Sequence, residues 1–364
     1  MNRTLRIGLV RRGFSRTGGA ETYLRRFAKA LVEAGHECVL FASDLWPTDE
    51  WSYGPIQRLP GSTPRVFADA MAQIRPRSQC GVLLSLERIW SSDFYRAADG
   101  VHRAWLKRSA RYKTLAGRWT QRWTPKDRQI LALEARLFTP DATRCVIAIS
   151  AMVKEEITRY YGYPGDRIEV VYSGIPYADF QSPPELREQT RRRLGLGESD
   201  LAVLFAGSGW ERKGLHYAVQ AVEGVNGGKT CLLVAGAGDT TRYRSNRARF
   251  LGPVADMRPY YAAGDLFLLP SIYDPFSNAC LEALASGLPV ITTRSTGCSE
   301  IIAPGVDGEV LEDPEDVPAM TRAIEGWQDP EKRRHAKSGL HQLASKYDIS
   351  ENLRQILELV QRYG

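Results

Sequence analysis

The chain has 364 residues, 43% of them hydrophobic and 25% charged, a composition typical of globular proteins. This length exceeds one typical core and fits two α/β domains of about 150–180 residues each. No apolar run reaches the roughly 18 residues that a transmembrane helix needs, and the apolar run that stops at Arg11 is too short for a signal peptide. We therefore expect a cytoplasmic protein. The six cysteines lie mostly in apolar runs such as CVLFA, so we expect small buried side chains rather than disulfides or a zinc site.

The first half of the chain alternates apolar and amphipathic segments. LRIGLV predicts a strand, a glycine-containing loop follows, ETYLRRFAKALVEAG predicts a helix, and HECVLFAS predicts a second strand. Tyr23, Phe27 and Leu31 recur at helical spacing in that helix. This order is the βαβ unit of a nucleotide-binding sheet. Further strands are predicted at CGVLLSL, RCVIAIS and IEVVYSG.

A polar segment at about 176–199 predicts a break, after which the alternation restarts. Strands are predicted at LAVLFAGSG, TCLLVAGAG, RFLGPV, DLFLLPS, LPVITT and EVLE. Helices are predicted over 214–223, 257–263 and 277–286, around Glu300, and towards the C-terminus. The sequence therefore predicts an α/β fold with two doubly wound domains, 1–172 and 173–345, and a C-terminal helix in 346–364 that packs on the first domain.

Two glycine-containing loops each lie between a strand and a helix. The first contains Gly18 and Gly19, which allow close approach of a ligand to the helix N-terminus, although an ordinary tight turn explains it equally well. The second runs from Gly207 to Gly214 and includes Arg212 and Lys213. Two adjacent cations at this position suit a diphosphate, and the alternative is a solvated charged turn.

A third candidate site lies at the start of the helix predicted over 277–286. Asp274 precedes the helix, and Glu282 is expected to face the same cleft two turns further along. Carboxylates suit sugar and ribose hydroxyls because each accepts several hydrogen bonds. We expect the backbone N–H groups of Phe276–Asn278 to be free for a phosphate. The alternative is a helix-capping acid with an unrelated surface glutamate.

The series formed by the GG loop, SGWERKG, GAGD, FLGPV and DPFSNACLEALASGLPVITT resembles family 4 of the retaining glycosyltransferases, in order and spacing, over nearly the whole chain. The resemblance implies the GT-B fold, in which two Rossmann-like domains face a central cleft. The family's acidic motif normally opens with Glu. Asp274 stands there in this chain, and its reach to the donor hexose is one methylene shorter.

The resemblance also implies roles for individual residues. Arg212 and Lys213 are expected to hold the donor diphosphate and offset the charge on the leaving nucleotide, so no metal or other cofactor is expected and UDP is a product. The other expected donor contacts are Glu282 with the ribose, Asp274, Pro275, Phe276, Ser277 and Asn278 with the sugar and β-phosphate, Gly18, Gly19 and Gly207 with the diphosphate, and Gly236–Asp239 with Gly252 and Val254 at the base.

Within the family, the chain looks most like the lipopolysaccharide inner-core hexosyltransferases that glucosylate a heptose. One matching stretch is FYRAADGVH, in which Asp99 is the first candidate for a residue at the reaction centre and His102 the second. For each, an ordinary loop or surface residue is the alternative. UDP-glucose is the first expected donor, followed by UDP-N-acetylglucosamine, UDP-galactose and ADP-heptose. A non-transferring relative, such as a nucleotide-sugar epimerase, also remains open.

The other matching stretch is the basic aromatic segment 103–128, with nine cations and one acid against a net charge of +7 for the chain. Its aromatic and basic side chains suit an anionic membrane surface or a phosphorylated acceptor. A solvated helix pair is the alternative, and no nucleic-acid-binding motif accompanies the segment. We therefore expect a peripheral protein on the inner face of the cytoplasmic membrane, with contacts from Arg103, Trp105, Lys107, Arg108, Arg118, Trp119, Arg122 and Trp123.

Overall fold

A computed structural model of the chain describes residues 4–16, 18–112 and 124–364. The chain divides into two units. The first unit consists of Met1–Ser173 together with Ile349–Gly364, and the second unit consists of Gly174–Asp348. The chain thus leaves the first unit once, builds the second, and returns for its last helix.

The first unit is built on a parallel sheet of seven strands in the order β3-β2-β1-β4-β5-β6-β7. Because the strand order reverses at β1, the loops after β1 and β4 diverge there and leave room for a ligand at the carboxyl edge of the sheet. The strands are β1 (Arg6–Arg11), β2 (Glu37–Ser43), β3 (Ile56–Leu59), β4 (Val82–Ser85), β5 (Ser92–Arg96), β6 (Thr143–Ala148) and β7 (Ile168–Val170).

The described helices of the first unit cover the sheet. They are α1 (Gly19–Glu33), α2 (Pro64–Gln73), α3 (His102–Arg111), α4 (Pro125–Leu137), α5 (Ala151–Tyr161) and the C-terminal α12 (Ile349–Tyr363). The apolar stripe predicted on α1 is buried, with Tyr23, Phe27 and Leu31 all at most 2% exposed. The same core contains Ile356 and Leu353 of α12.

Buried hydrogen bonds hold α12 in the first unit. The Tyr23 hydroxyl donates to Asn352 Oδ1 at 2.7 Å, and Asn352 Nδ2 donates to the carbonyl of Tyr172 at 2.6 Å. Arg96 at the end of β5 lies over the Tyr23 ring at 3.6 Å and donates to Ser173 Oγ at 2.7 Å. The points at which the chain leaves and re-enters the first unit are therefore fixed to α1 and β5.

The second unit contains a parallel sheet of six strands in the order β10-β9-β8-β11-β12-β13, and its order reverses at β8. The strands are β8 (Leu201–Ala206), β9 (Thr230–Ala235), β10 (Ala248–Gly252), β11 (Leu266–Leu269), β12 (Val290–Thr293) and β13 (Gly308–Leu311). The helices are α6 (Pro184–Arg193), α7 (Leu215–Glu223), α8 (Arg258–Ala263), α9 (Asn278–Ala285), α10 (Val317–Glu325) and α11 (Pro330–Ser345). Both sheets confirm the predicted α/β architecture of two Rossmann-like domains.

The polar segment predicted as a break contains helix α6. Arg187 and Arg191 of this helix bind Asp265 at 2.6 and 3.0 Å, and Arg191 is only 6% exposed. Arg191 also donates to the carbonyl oxygens of Ala263 and Gly197. Helix α6 was not predicted, because it buries paired guanidinium groups rather than an apolar stripe.

The elements of the first unit that were not predicted include α2, β3, β5 and α5, and the helix predicted around Glu300 is a 3-10 segment, Gly297–Ile301. Strand β5 reads SDFYR, in which polar residues interrupt the apolar pattern, yet every residue in it is buried. All six cysteines are buried, as predicted. Among the described residues, no helix combines the length and apolarity needed to cross a bilayer.

Candidate functional site

The loop between β8 and α7 is shaped by glycines at the carboxyl edge of the second sheet. Gly214 has φ +74, and a Cβ there would lie 2.0 Å from the carbonyl oxygen of Pro270. Gly207 has φ +135, and a Cβ there would lie 2.6 Å from Cε of Lys213. These two glycines therefore let the loop pack against the loop after β11 and make space for the Lys213 side chain.

Arg212 and Lys213 converge on one carboxylate. Lys213 Nζ lies 2.9 Å from Asp274 Oδ2, and the lysine is 9% exposed. Arg212 Nη1 lies 3.5 Å from the same oxygen and donates to the carbonyl of Tyr273 at 2.7 Å. The loops after β8 and β11 thus bring Asp274 against two adjacent cations, although it lies 61 positions beyond Lys213 in the chain.

The Asp274 carboxyl is buried but held in its charged form. Burial by itself raises the pKa of this group, but the nearby charges of Lys213 and Arg212, the Lys213 hydrogen bond and the Phe276 backbone N–H outweigh it, so the pKa of Asp274 is lowered. The expectation of a free Phe276 N–H was wrong, because that N–H bonds to the Asp274 carboxylate. Asp274 therefore fixes the loop before α9 as well as the two cations.

Ser277 has an unusual conformation immediately before α9. Its φ and ψ are +73° and +91°, in a region that non-glycine residues rarely adopt and that costs on the order of 1–3 kcal/mol. The residue is 8% exposed, and its Oγ has no hydrogen-bond partner among the described residues. Buried hydroxyls normally have partners, so strain and an unsatisfied group coincide at this helix N-terminus. Pro275 is buried beside it, and Asn278 is the first residue of α9.

Glu282 lies on α9 and has a partner of its own. Its Oε2 accepts a hydrogen bond from the Tyr261 hydroxyl of α8 at 3.0 Å, whereas the Asp274 carboxylate bonds to Lys213. Tyr261 is 1% exposed and was not identified from the sequence. A buried tyrosine on a neighbouring helix therefore orients the glutamate predicted to bind the ribose.

The loops predicted to border the base meet at the end of β10. The Gly236 N–H donates to the carbonyl of Gly252 at 2.8 Å, and Val254 follows two residues later, half-buried. Trp210 packs under these loops, with its ring 5.6 Å from that of Tyr243 and 5.4 Å from that of Phe250. The sequence analysis missed this aromatic cluster, although Trp210 stands in the motif SGWERKG.

At the carboxyl edge of the first sheet, the glycine loop accommodates an acidic side chain. Gly18 caps α1, and a Cβ at Gly18 would lie 2.0 Å from Glu21 Oε2. Glu21 is 5% exposed, and its Oε1 accepts a bond from Arg11 Nε at 2.9 Å. This helix start therefore already has a carboxylate beside it. Gly19 is the first residue of α1, and Thr17 lies outside the described residues.

Asp99 lies in the loop after β5 between two arginines. Arg11 Nη1 is 3.0 Å from Asp99 Oδ2, and Arg88 Nη1 is 3.6 Å from the same oxygen. The Asp99 side chain is 35% exposed, whereas those of Arg11 and Arg88 are 12% and 7% exposed. The sequence analysis missed both arginines. The only local signal for Arg11 was the arginine pair that ends the first apolar run.

His102 is tied into the packing of α3 against α4. Its Nε2 lies 2.8 Å from Asp127 Oδ1, and its backbone N–H donates to Glu134 Oε1 at 2.7 Å. Burial tends to raise the pKa of Asp127, but hydrogen bonds from Thr124 and His102 outweigh it, and the pKa is lowered. The structure thus gives His102 a bridging position between two helices.

The described part of the predicted membrane patch lies on α3. Arg103 and Lys107 are exposed, and Trp105 is half-buried. Arg108 Nη2 lies 2.8 Å from Glu156 Oε1 of α5, so an acid already neutralises this part of the patch. Four of its predicted members, Arg118, Trp119, Arg122 and Trp123, lie outside the described residues.

Residues 17–178 match the family described as Glycosyltransferase Family 4, and residues 200–328 match the family described as Glycosyl transferases group 1. The chain belongs to family 4 of the glycosyltransferases and has the GT-B fold.

The chain also resembles individual proteins, at modest sequence identity. The chain is 28% identical over 306 residues to a probable transglycosylase of Burkholderia thailandensis, a match that spans 82% of this chain and 80% of the relative. It is 27% identical over 237 residues to the lipopolysaccharide glucosyltransferase WaaG of Escherichia coli, 61% of each chain. A crystal structure of WaaG matches with a TM-score of 0.80 at 19% identity, over 97% of this chain and 99% of that one. Anabaena HepE in complex with UDP-glucose matches with a TM-score of 0.74 at 18% identity, over 98% and 100% of the two chains.

Proposed function

We propose that this glycosyltransferase moves a glucosyl group from UDP-glucose to a heptose of a lipopolysaccharide core, with retention of the anomeric configuration. The observation that carries the donor part is the convergence of Lys213 and Arg212 at the edge where the second sheet reverses its strand order. The likeness to WaaG, a lipopolysaccharide glucosyltransferase, supports the choice of sugar and acceptor. HepE, solved with UDP-glucose, supports the choice of nucleotide.

The charge of this edge suits a diphosphate. One carboxylate, that of Asp274, faces two cations, so the group keeps a net positive charge. A lysine ammonium has three donor hydrogens, and Lys213 can therefore keep its bond to Asp274 while it donates to a phosphate oxygen. Arg212 offers further donors in a planar fork.

Ser277 is the second group that we assign to the donor. Its buried hydroxyl has no partner among the described residues and stands at the start of α9, where backbone N–H groups and the helix dipole favour an anion. A β-phosphate oxygen bonded to Ser277 Oγ would satisfy the hydroxyl. The strained backbone of Ser277 then has a function, which is to aim the hydroxyl at the ligand.

In the proposed reaction, the bond between the anomeric carbon and the UDP oxygen breaks, and the acceptor hydroxyl oxygen bonds to that carbon from the same face. The hydroxyl proton passes to the departing phosphate oxygen. Lys213 and Arg212 offset the negative charge that develops on this phosphate. Because they supply that charge, we propose that the reaction needs no metal ion.

The remaining roles follow from the positions of the residues. Glu282, oriented by Tyr261, binds the ribose hydroxyls, and the loop that includes Gly252 and Val254 borders the base. Asp99 contacts the acceptor sugar. We assign Arg103 and Lys107, both exposed on α3, to an anionic membrane surface on the cytoplasmic side.

Transfer to a defined acceptor tests this function. The purified protein is incubated with UDP-glucose and lipopolysaccharide truncated to the inner core, and the acceptor is analysed by mass spectrometry. We expect a gain of one hexose per acceptor, undiminished by EDTA, and weaker transfer from UDP-galactose, UDP-N-acetylglucosamine and ADP-heptose. Release of a free epimerised sugar with an unlabelled acceptor would contradict the proposal, and loss of transfer in EDTA would contradict its metal-free form.

A further inference from the structure

The carboxyl edge of the first sheet contains an ionic network that none of the donor roles uses. It joins Arg11 at the end of β1, Arg88 in the loop after β4 and Asp99 in the loop after β5. Two further acids complete it, since Glu21 of α1 binds Arg11 at 2.9 Å and Glu134 of α4 binds Arg88 at 2.8 Å. The network therefore spans the loops of three neighbouring strands and two helices.

We infer that Arg11 is a positioning residue that holds the Asp99 carboxylate in the orientation in which it meets the acceptor sugar. The inference rests on the proposed function, in which Asp99 contacts that sugar. Arg11 uses Nε for Glu21 and Nη1 for both Asp99 Oδ2, at 3.0 Å, and the carbonyl of Leu86, at 3.3 Å. A planar guanidinium that is anchored by its hydrogen bonds to Glu21 and Leu86 cannot rotate without breaking one of them. It therefore also fixes the position of its third partner, the Asp99 carboxylate.

Arg88 approaches the same carboxylate oxygen of Asp99. Besides its 3.6 Å approach to Asp99 Oδ2, its Nη2 donates to the carbonyl of Gly100 at 2.9 Å. Gly100 has φ +64, so the chain makes a left-handed turn directly after Asp99. Arg88 thereby fixes the backbone of the turn, while Arg11 fixes the carboxylate that the turn carries.

Glu134 keeps Arg88 in place. It is wholly buried, and besides the Arg88 bond it accepts bonds from the His102 backbone N–H at 2.7 Å and from the Tyr161 hydroxyl at 2.6 Å. These contacts join the start of α3 to α4 and α5. Such a buried carboxylate persists because every partner is a donor.

The charges of the network favour this arrangement. Burial by itself lowers the pKa of Arg11, but the charges of Asp99, Glu87 and Glu21 outweigh it, and the pKa is raised above that of an ordinary arginine. Arg11 therefore stays charged at any pH at which the protein is folded. Asp99 and Glu21 both contact Arg11, and the Asp99 side chain is the more exposed of the two, at 35% against 7% for the Glu21 side chain. Asp99 is thus the acid that this buried cation presents to the solvent.

Kinetic analysis of Arg11→Gln tests the inference. We expect kcat for transfer to fall by about 100-fold, the loss that misplacement of a reacting group by 1 Å can cause. The KM for the acceptor should rise, and the KM for UDP-glucose should stay within about twofold. Arg11→Lys keeps the charge without the fork and should recover part of the loss. Arg25→Gln is the matched control, because Arg25 makes an equivalent pair with Glu50 in the same unit, at 2.8 Å, and should leave all constants unchanged.

A double-mutant cycle separates positioning from a general effect on the fold. If Arg11 acts through Asp99, the double variant Arg11→Gln/Asp99→Asn should be no slower than Asp99→Asn alone. Independent, multiplying losses would overturn the inference, and so would an Arg11→Gln protein that matches the Arg25→Gln control. Should Arg11→Gln fail to fold by circular dichroism, the same cycle is run with Arg11→Lys. No transfer by the native protein would instead overturn the proposed function, and this inference with it.

Discussion

The carboxyl edges of the two sheets occupy the same topological position but contain ionic clusters of opposite net charge. At the second sheet, Lys213 and Arg212 share the single carboxylate of Asp274. At the first sheet, four carboxylates (Glu21, Glu87, Asp99 and Glu134) surround two guanidinium groups, those of Arg11 and Arg88. The cluster of Lys213, Arg212 and Asp274 is thus net positive, and the cluster of these four acids and two arginines is net negative.

The two edges also differ at the starts of their helices. At α9 the Ser277 hydroxyl is buried without a partner among the described residues, so an anion would complete the site. At α1 the Glu21 carboxylate already stands beside Gly18 and is paired with Arg11. In the proposed function the two edges are therefore used differently, and local side chains make only one of them suited to a diphosphate. The other suits neutral hydroxyl groups, because carboxylates accept hydrogen bonds from them.

Of the substitutions that test this comparison, replacement of Lys213 should have the largest effect. We expect Lys213→Ala to lower kcat by on the order of 10²–10³-fold, because it removes a cation aimed at the leaving phosphate. Initial rates check this prediction when they are measured with saturating UDP-glucose at a temperature at which the variant stays folded. Lys229→Ala is the matched control, since Lys229 pairs with Asp200 at 2.8 Å but is 60% exposed. Unchanged turnover in Lys213→Ala would remove this residue from the reaction.

Removal of the acid that pairs with both Lys213 and Arg212 should cost stability. Asp274→Asn leaves Lys213 buried without its counter-ion, and we expect a loss of about 3 kcal/mol in the free energy of unfolding near pH 7, measured by urea titration. Glu312→Gln is the control, because its pair with Arg294 is exposed on both sides and should matter by less than about 1 kcal/mol.

The same variant has a predicted pH dependence. The pKa of Asp274 is lowered in the folded protein, so its contribution to stability is complete above the unfolded value of about 3.9 and is lost as the pH falls through the folded value. The difference in the free energy of unfolding between the native protein and Asp274→Asn should therefore be largest near neutral pH and should disappear in strong acid. A gap that widens on acidification would show that Asp274 is not held as a carboxylate.

Nucleotide binding should distinguish the two edges directly. At about 100 times its Kd, UDP should stabilise the protein by about 2.7 kcal/mol. Hydrogen exchange should slow at 207–214 and 271–278, while 11–21 and 86–100 should change less. Protection that is confined to the segments of the first sheet would reverse the assignment of the two edges.

The smallest effects are expected on the surface of α3. Lys107→Gln should weaken binding to vesicles that contain anionic lipid by roughly 1 kcal/mol, as each basic residue near such a surface contributes about that much. Arg108→Gln should weaken it less, because Arg108 is already paired with Glu156 at 2.8 Å. Sedimentation of vesicles with bound protein measures both variants. Equal binding by all three proteins would show that α3 does not face the lipid.

Much of the fold followed from local patterns. The apolar runs that became β1, β8 and β9 are continuous, and the stripe on α1 has helical spacing, so these elements were predictable. Strand β5 and helix α6 were not recognised, because the chain buries polar groups there through partners that are distant in sequence. For α6 the partner is Asp265, which is 78 residues from Arg187.

Sequence alone therefore determined the two βα-alternating halves, the glycine loops and the position of Arg212 and Lys213 after a strand, because strand ends and loops are set by neighbouring residues. Only the tertiary structure decided which charges meet. Arg11 and Asp99 are 88 residues apart, and Lys213 and Asp274 are 61 apart. They come together because β1 and β8 lie between strands that are not consecutive in the chain, so that loops far apart in sequence share one edge. Which charged side chains form each cluster follows from that order of strands.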